Sequence, residues 1–368
     1  MRISVWVFFC LLLRGSFFVV NWIQTCLTVR RTEVLIALFS ILLFGLVVLS
    51  ASLGYMKIEF SEVLKIILAQ LPGQGHMAGS ISEASQVIVM DVRLPRILTC
   101  AAVGGGLALS GVIFQGILLN PLADPYTLGV SAGAAFGACF AILLNLGAAF
   151  VSVPLFAFAG ACLTLFFVIF LSYSGKNSAA VLSSNSLILS GIIVAAILSA
   201  GISFLKYTAD EQVSIIIFWL MGSFASKTWL DVGVTFLCLV LGLVISMVFA
   251  RDLNLISLGE RSAASLGVDT RKVTLVLLVT GSMLAAVSVS VSGIIGFVGL
   301  LVPHMVRLFT GPDNRGLIPV SLLAGALLLL GADTITRAIL PHEIPIGILT
   351  ALIGGPVFCW IFKRGAIR

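Results

Sequence analysis

Arg251 to Lys272 reads RDLNLISLGERSAASLGVDTRK, the one long polar segment in the second half of the chain, with apolar runs at 232–250 and 273–291 on either side. Each run is close to the roughly 20 residues that cross a bilayer as helix, so the island between them lies in water. Within it Leu255, Leu258, Ala263, Leu266 and Val268 alternate with Asp252, Glu260, Arg261 and Asp269, and Gly259 and Gly267 stand where short helices end. This spacing predicts two short amphipathic helices joined by a glycine turn. A solvated loop would account for the charges. Apolar residues at helical spacing point further, to a docking surface over 255–268 that another protein covers.

Composition carries the same reading to the whole chain. Of 368 residues 60% are hydrophobic and only 10% charged, where soluble proteins carry about 25% charged residues. The chain is therefore an all-α polytopic membrane protein. At about 30 residues per span and connection it has room for roughly ten helices in one domain. Its 36 glycines fit that class, because membrane helices associate through small residues. The net charge of +6 reads as topology rather than nucleic-acid binding. Cys10, Cys26, Cys100, Cys139, Cys162, Cys238 and Cys359 lie singly in apolar runs with no CxxC pair, as buried small hydrophobes do.

Working outward from the island, spans are expected at about 34–53, 93–119, from 129 onward, and at 151–173, 186–205, 230–250, 273–291, 294–309, 317–336 and 344–362. Residues 1–32 hold two apolar patches separated by Arg14 and closed by Arg30-Arg31, and read as a dispensable extension ahead of a single domain at 33–368. Threading from a cytoplasmic start places twelve Lys and Arg inside, the island's among them, against seven outside. Both termini are then cytoplasmic. Residues 60–71 read as a short amphipathic helix. Gly129, Gly133 and Gly137 fall four apart, giving the third span one flat face for close packing.

Catalytic signals are absent. His76, His304 and His342 are far apart, no HExxH, GxSxG or paired carboxylates stand out, and Gly175-Lys176 lacks the rest of a Walker A loop. No metal ligand set or bound cofactor is expected, and any ATP must be used by another subunit. Asp333, deep in an apolar run, is a functional candidate as an intramembrane acid or the i,i+4 ion-pair partner of Arg337. The charges at the outer ends of spans are Arg93, Arg96 and Arg337. They either snorkel to headgroups or receive carboxylates of a soluble partner, and Glu343 beside Pro345 is placed to brace one of them.

Five stretches together resemble a known family: Arg93-Leu94-Pro95-Arg96, GGGLALSGVIFQGILLNPLADPYTLGVSAGAAFGA from Gly104, LGERSAASLGV from Leu258, GFVGLLVPHMVRL from Gly296 and EIPIGILTALIGGPVF from Glu343. They are similar, in order over 34–368, to permease subunits of the bacterial ABC importers for iron–siderophores, haem and cobalamin, the FecCD type. The resemblance implies a ten-span subunit of the cytoplasmic membrane that pairs with a second copy and moves a chelate by alternating access at the dimer interface. It implies two ATPase subunits, which use ATP and magnesium, docked at Leu255, Leu258, Gly259, Glu260, Ala263, Leu266 and Gly267. It also implies a substrate-binding protein docked at Arg93, Arg96 and Arg337, with Gly129, Gly133 and Gly137 packing the helices and Pro303-His304 and Arg307 serving helix geometry. Two rivals need features the sequence lacks: a gradient-driven transporter needs interrupted helices with midplane ion ligands, and a membrane enzyme needs a His/Asp/Glu constellation.

Overall fold

The computed structural model describes residues 31–54, 56, 58–69, 82–146, 149–173, 183–338 and 343–363. The expected extension up to residue 30, with Lys57, His76, Lys176 and His342, lies outside the described residues. Among those residues every regular element is helical. In chain order they are α1 (Arg31–Ser52), α2 (Phe60–Ala69), α3 (Glu83–Ile117), α4 (Val130–Leu143), α5 (Ala149–Ser172), α6 (Ser184–Thr208), α7 (Val213–Leu220), α8 (Trp229–Val248), α9 (Ala250–Ile256), α10 (Glu260–Ser265), α11 (Thr270–Ser292), α12 (Val298–Thr310), α13 (Asn314–Ala338) and α14 (Ile346–Lys363). Among the described residues seven helices are long and apolar enough to cross a membrane, and α4, α12 and α14 are shorter apolar helices, which makes the ten expected segments.

Local signals set the helix starts. The Ser183 side chain accepts from Ser186 N ahead of α6, Thr228 and Asp231 form a capping box on α8, and Asp269 accepts from Lys272 N ahead of α11. Each satisfies an N–H that has no partner within the helix. Pro95 does not open the second span, as its position predicts. The helix begins twelve residues earlier, at Glu83, and passes Pro95 through a π-helical stretch at Ile88–Arg93. A proline inside a helix removes one N–H and crowds the preceding turn; the wider turn absorbs that disruption.

Helix α3 is the core. Every residue from Ala102 to Leu118 is buried, about 25 Å of helix at 1.5 Å per residue. Small residues allow this. A Cβ on Gly104 would lie 2.4 Å from the Gly325 carbonyl oxygen of α13, and one on Gly111 would lie 1.9 Å from the Gly299 carbonyl oxygen of α12. Two of the three glycines expected on one face pack closely: a Cβ on Gly133 would meet Thr164 Oγ1 at 2.1 Å, and one on Gly137 the Phe156 carbonyl oxygen at 2.1 Å, so α4 crosses α5 backbone to backbone. Gly129 is not part of that face. It precedes α4 with φ 75°, a left-handed conformation open to glycine, and packs near Gly191 and Ala195 of α6.

Two connections enter the bundle rather than closing at its surface. Helix α12 does not start at the end of α3 but beside Leu107 and Gly111, within its buried stretch, because a Cβ on Gly299 would lie 3.0 Å from the Leu107 carbonyl oxygen. Gly293 (φ 74°) and Phe297 (φ 69°) make the bend back from α11. At the same depth the Pro125 ring lies against Gly299, in the turn Pro125–Leu128 that joins α3 to α4. These breaks differ from the uninterrupted span expected at 294–309.

Candidate functional site

Helix α3 connects two polar sites. Arg96, thirteen residues into it, and Gly116 near its end stand about 30 Å apart at 1.5 Å per residue, the thickness of a bilayer's hydrocarbon core.

At the first end, the last carbonyls of α1 need partners, as at any helix C-terminus. Arg93 Nη1 donates to Ala51 O at 2.6 Å and Ser52 O at 3.2 Å, and Nη2 donates to Met56 O. Arg337 donates to Leu53 O at 2.9 Å, Ser50 O at 2.8 Å and Ser50 Oγ at 2.6 Å. Two guanidiniums, from α3 and α13, thus cap one helix. Arg93 is only 5% exposed: the side chain expected to face a docking protein points back into its own subunit.

Arg96 has a different set of partners. Its Nε and Nη2 hold Asp333 at 2.9–3.3 Å, and its Nη1 holds both Glu343 oxygens at 3.1 and 3.2 Å. Asp333 is buried between Arg96 and Arg337, the latter four residues on with its Nε 3.9 Å from Oδ2. The predicted i,i+4 pair is therefore present, but Arg96 is the closer partner. Glu343 braces an arginine as its position suggested, and its side chain remains 52% exposed.

At the other end, the island forms the two predicted helices, α9 and α10, with Gly259 (φ 106°) and Gly267 (φ 87°) at the turns. Ala250, Leu253 and Ile256 bury one face of α9, and Leu253 fills the space beside Gly116. Asn254 fastens this helix to the start of α13: its Nδ2 donates to Asp313 Oδ1 at 2.7 Å and its Oδ1 accepts from Asn314 N at 2.9 Å. Arg271 donates to the Tyr173 hydroxyl at the end of α5. Ala263 is buried and faces the subunit, so it leaves the expected docking face, and Leu255 and Val268 are partly buried against the core. Glu260 begins α10 half-buried. Leu258 and Leu266 remain outside, 68% and 62% exposed on a braced platform.

His304 is buried on α12. Nearby on the same helix Arg307 donates to Gln115 Oε1 at 3.1 Å, and Gln115 donates to Leu300 O at 3.2 Å, a cross-link between α3 and α12 that fits a packing role for the motif. Among the described residues no three His, Cys, Asp or Glu side chains are grouped to hold a metal.

Residues 41–364 match the FecCD transport family. The chain belongs to that family. A cobalamin import permease of Halobacterium salinarum is 41% identical over 288 residues, 78% of this chain and 76% of the relative. A molybdate import permease of Haemophilus influenzae is 38% identical over 342 residues, 89% and 97% of the two chains. A solved inward-facing ABC transporter of the metal-chelate type superposes with a TM-score of 0.78 at 34% identity, covering 90% of this chain and 99% of that one. This FecCD protein is a multi-pass ABC permease, a transport subunit. Residues 293–297 of the α11–α12 break are Gly, Ile, Ile, Gly and Phe, with no ionisable side chain.

Proposed function

We propose that two copies of this chain form the membrane pathway of an ATP-driven importer, with the α9–α10 end and both termini in the cytoplasm. The observation that carries the dimer is the burial of α3. With Ala102 to Leu118 enclosed, a bulky cargo has no passage along the axis of one bundle, which favours a route between copies that opens to alternate sides. Leu258 and Leu266 form the contact for two separate ATPase subunits, which bind the ATP and magnesium, and the brace on α9 carries their closure into α3 and α13. A substrate-binding protein docks at the opposite end, around Arg96. The cargo is a metal chelate such as an iron–siderophore, haem or cobalamin. Relatives named for cobalamin and for molybdate differ greatly in cargo size, so the shared helices set the machine and the cavity between copies sets the cargo.

The test is copurification from the native membrane followed by reconstitution. Two copies of this chain with two ATPase subunits, a recoverable binding protein and ATP-dependent uptake of a chelate are expected. A complex with one copy, or uptake driven by an ion gradient without ATP, would overturn the reading.

A further inference from the structure

Three arginines stand at the outer end, and their partners differ in how readily they can be replaced. Arg93 is tied to three backbone carbonyls and Arg337 to two carbonyls and a hydroxyl, at the end of α1 and in the residues that follow it up to Met56. An incoming carboxylate would have to uncap that helix to reach either one. On Arg96, the Asp333 side is buried, its carboxylate only 2% exposed. The Glu343 side is open. A cleft of about 210 Å³ leads to it, bordered by Phe218, Phe224 and Pro345 with Arg96, Asp333 and Glu343.

We infer that Arg96 is the arginine that receives a carboxylate of the docking protein, and that Glu343 is the chain's own carboxylate held in that place until docking displaces it. Both Glu343 oxygens lie within hydrogen-bonding distance of Arg96 Nη1, so a second carboxylate can use that face only by exchange. An exchange of like for like is energetically shallow. One exposed ion pair is worth about 0–1 kcal/mol, so docking is weakened but not blocked by the internal competitor.

The exchange also reaches the pathway. Glu343 is three residues before α14, and near that helix's start the neighbouring tethers are Ile346 N to Gly222 O at 3.2 Å and Gly347 N to Met221 O at 3.0 Å. Releasing Glu343 removes a side-chain tether just ahead of α14 and leaves these backbone bonds to the α7–α8 connection. Contact with an outside protein is thereby converted into freedom at the start of a membrane helix.

This inference rests on the binding-protein reading, and the test separates the two. The permease–ATPase complex is reconstituted in lipid discs and titrated with the binding protein recovered by copurification. Glu343→Gln should tighten binding by about two- to five-fold, the range of one exposed ion pair. Arg96→Gln combined with Asp333→Asn, which avoids stranding a buried carboxylate, should weaken binding, and adding Glu343→Gln to that background should change nothing further. A Glu343→Gln protein that binds no better while the Arg96 variant binds worse would overturn the exchange but leave docking at Arg96 intact. A gain that persists without Arg96 would reduce the effect to the removal of one negative charge, also overturning it. If the Arg96 variant binds as wild type, the docking site itself is misplaced.

Discussion

The Tyr126 hydroxyl donates to the Ile295 carbonyl at 2.9 Å, joining the α3–α4 turn to the α11–α12 bend inside the bundle. The two residues are 169 positions apart, and each belongs to a connection that an uninterrupted helix would not contain. Interrupted backbone at membrane depth persists only where protein supplies its hydrogen bonds. Tyr126 supplies one such donor directly.

Tyr126→Phe keeps the ring and removes that donor, leaving a carbonyl without this partner. A buried acceptor left unpaired costs about 1–3 kcal/mol. The expected outcome is a lower melting midpoint for the detergent-solubilised protein, and ATP-dependent uptake reduced more than ATPase association. A variant with wild-type melting and uptake would show that the two connections hold their geometry without the bond.

Arg93 is expected to behave as a cap. Arg93→Ala removes two charge-assisted bonds to the end of α1 and a third to Met56 just beyond it, and hydrogen bonds to charged groups contribute about 1.5–3 kcal/mol each before the site relaxes. Thermal stability should fall whether or not the binding protein is present. Arg93→Lys should recover only part of it, since one ammonium does not reproduce the fork of a guanidinium. Unchanged melting with lost docking would return Arg93 to the role its sequence position first suggested.

Leu258 and Leu266 are the exposed apolar pair of the island. Replacing either with Asp places a carboxylate where the ATPase subunit would otherwise exclude water, and a handful of such central contacts carry most of an interface's binding energy. Copurification of the ATPase should drop at least tenfold with permease yield unchanged, because neither side chain packs in the core. Normal recovery of the ATPase and full uptake would make the island a plain solvated loop. Ala263→Asp is the contrasting variant: it should reduce yield, since Ala263 is buried against the subunit itself.

The apolar segments, their approximate ends and the helical island were legible in the sequence, because the free energy of moving an apolar run into lipid is set by the run's own composition and length. Glycine spacing likewise marked Gly133 and Gly137 for close packing, since a missing Cβ is a local fact, but not that α5 is what packs there or that Gly129 lies off that face. The depth of the α11–α12 break was not legible: Gly293 to Phe297 are as apolar as a span, and only packing against Leu107 and Gly111 shows where α12 begins. The arginines mark the same boundary. Their sequence positions place Arg93, Arg96 and Arg337 at one end of the helices, but a guanidinium takes the acceptors within its reach. Which acceptors those are, α1 carbonyls for two and Asp333 with Glu343 for the third, depends on helices brought together from positions 50 to 343.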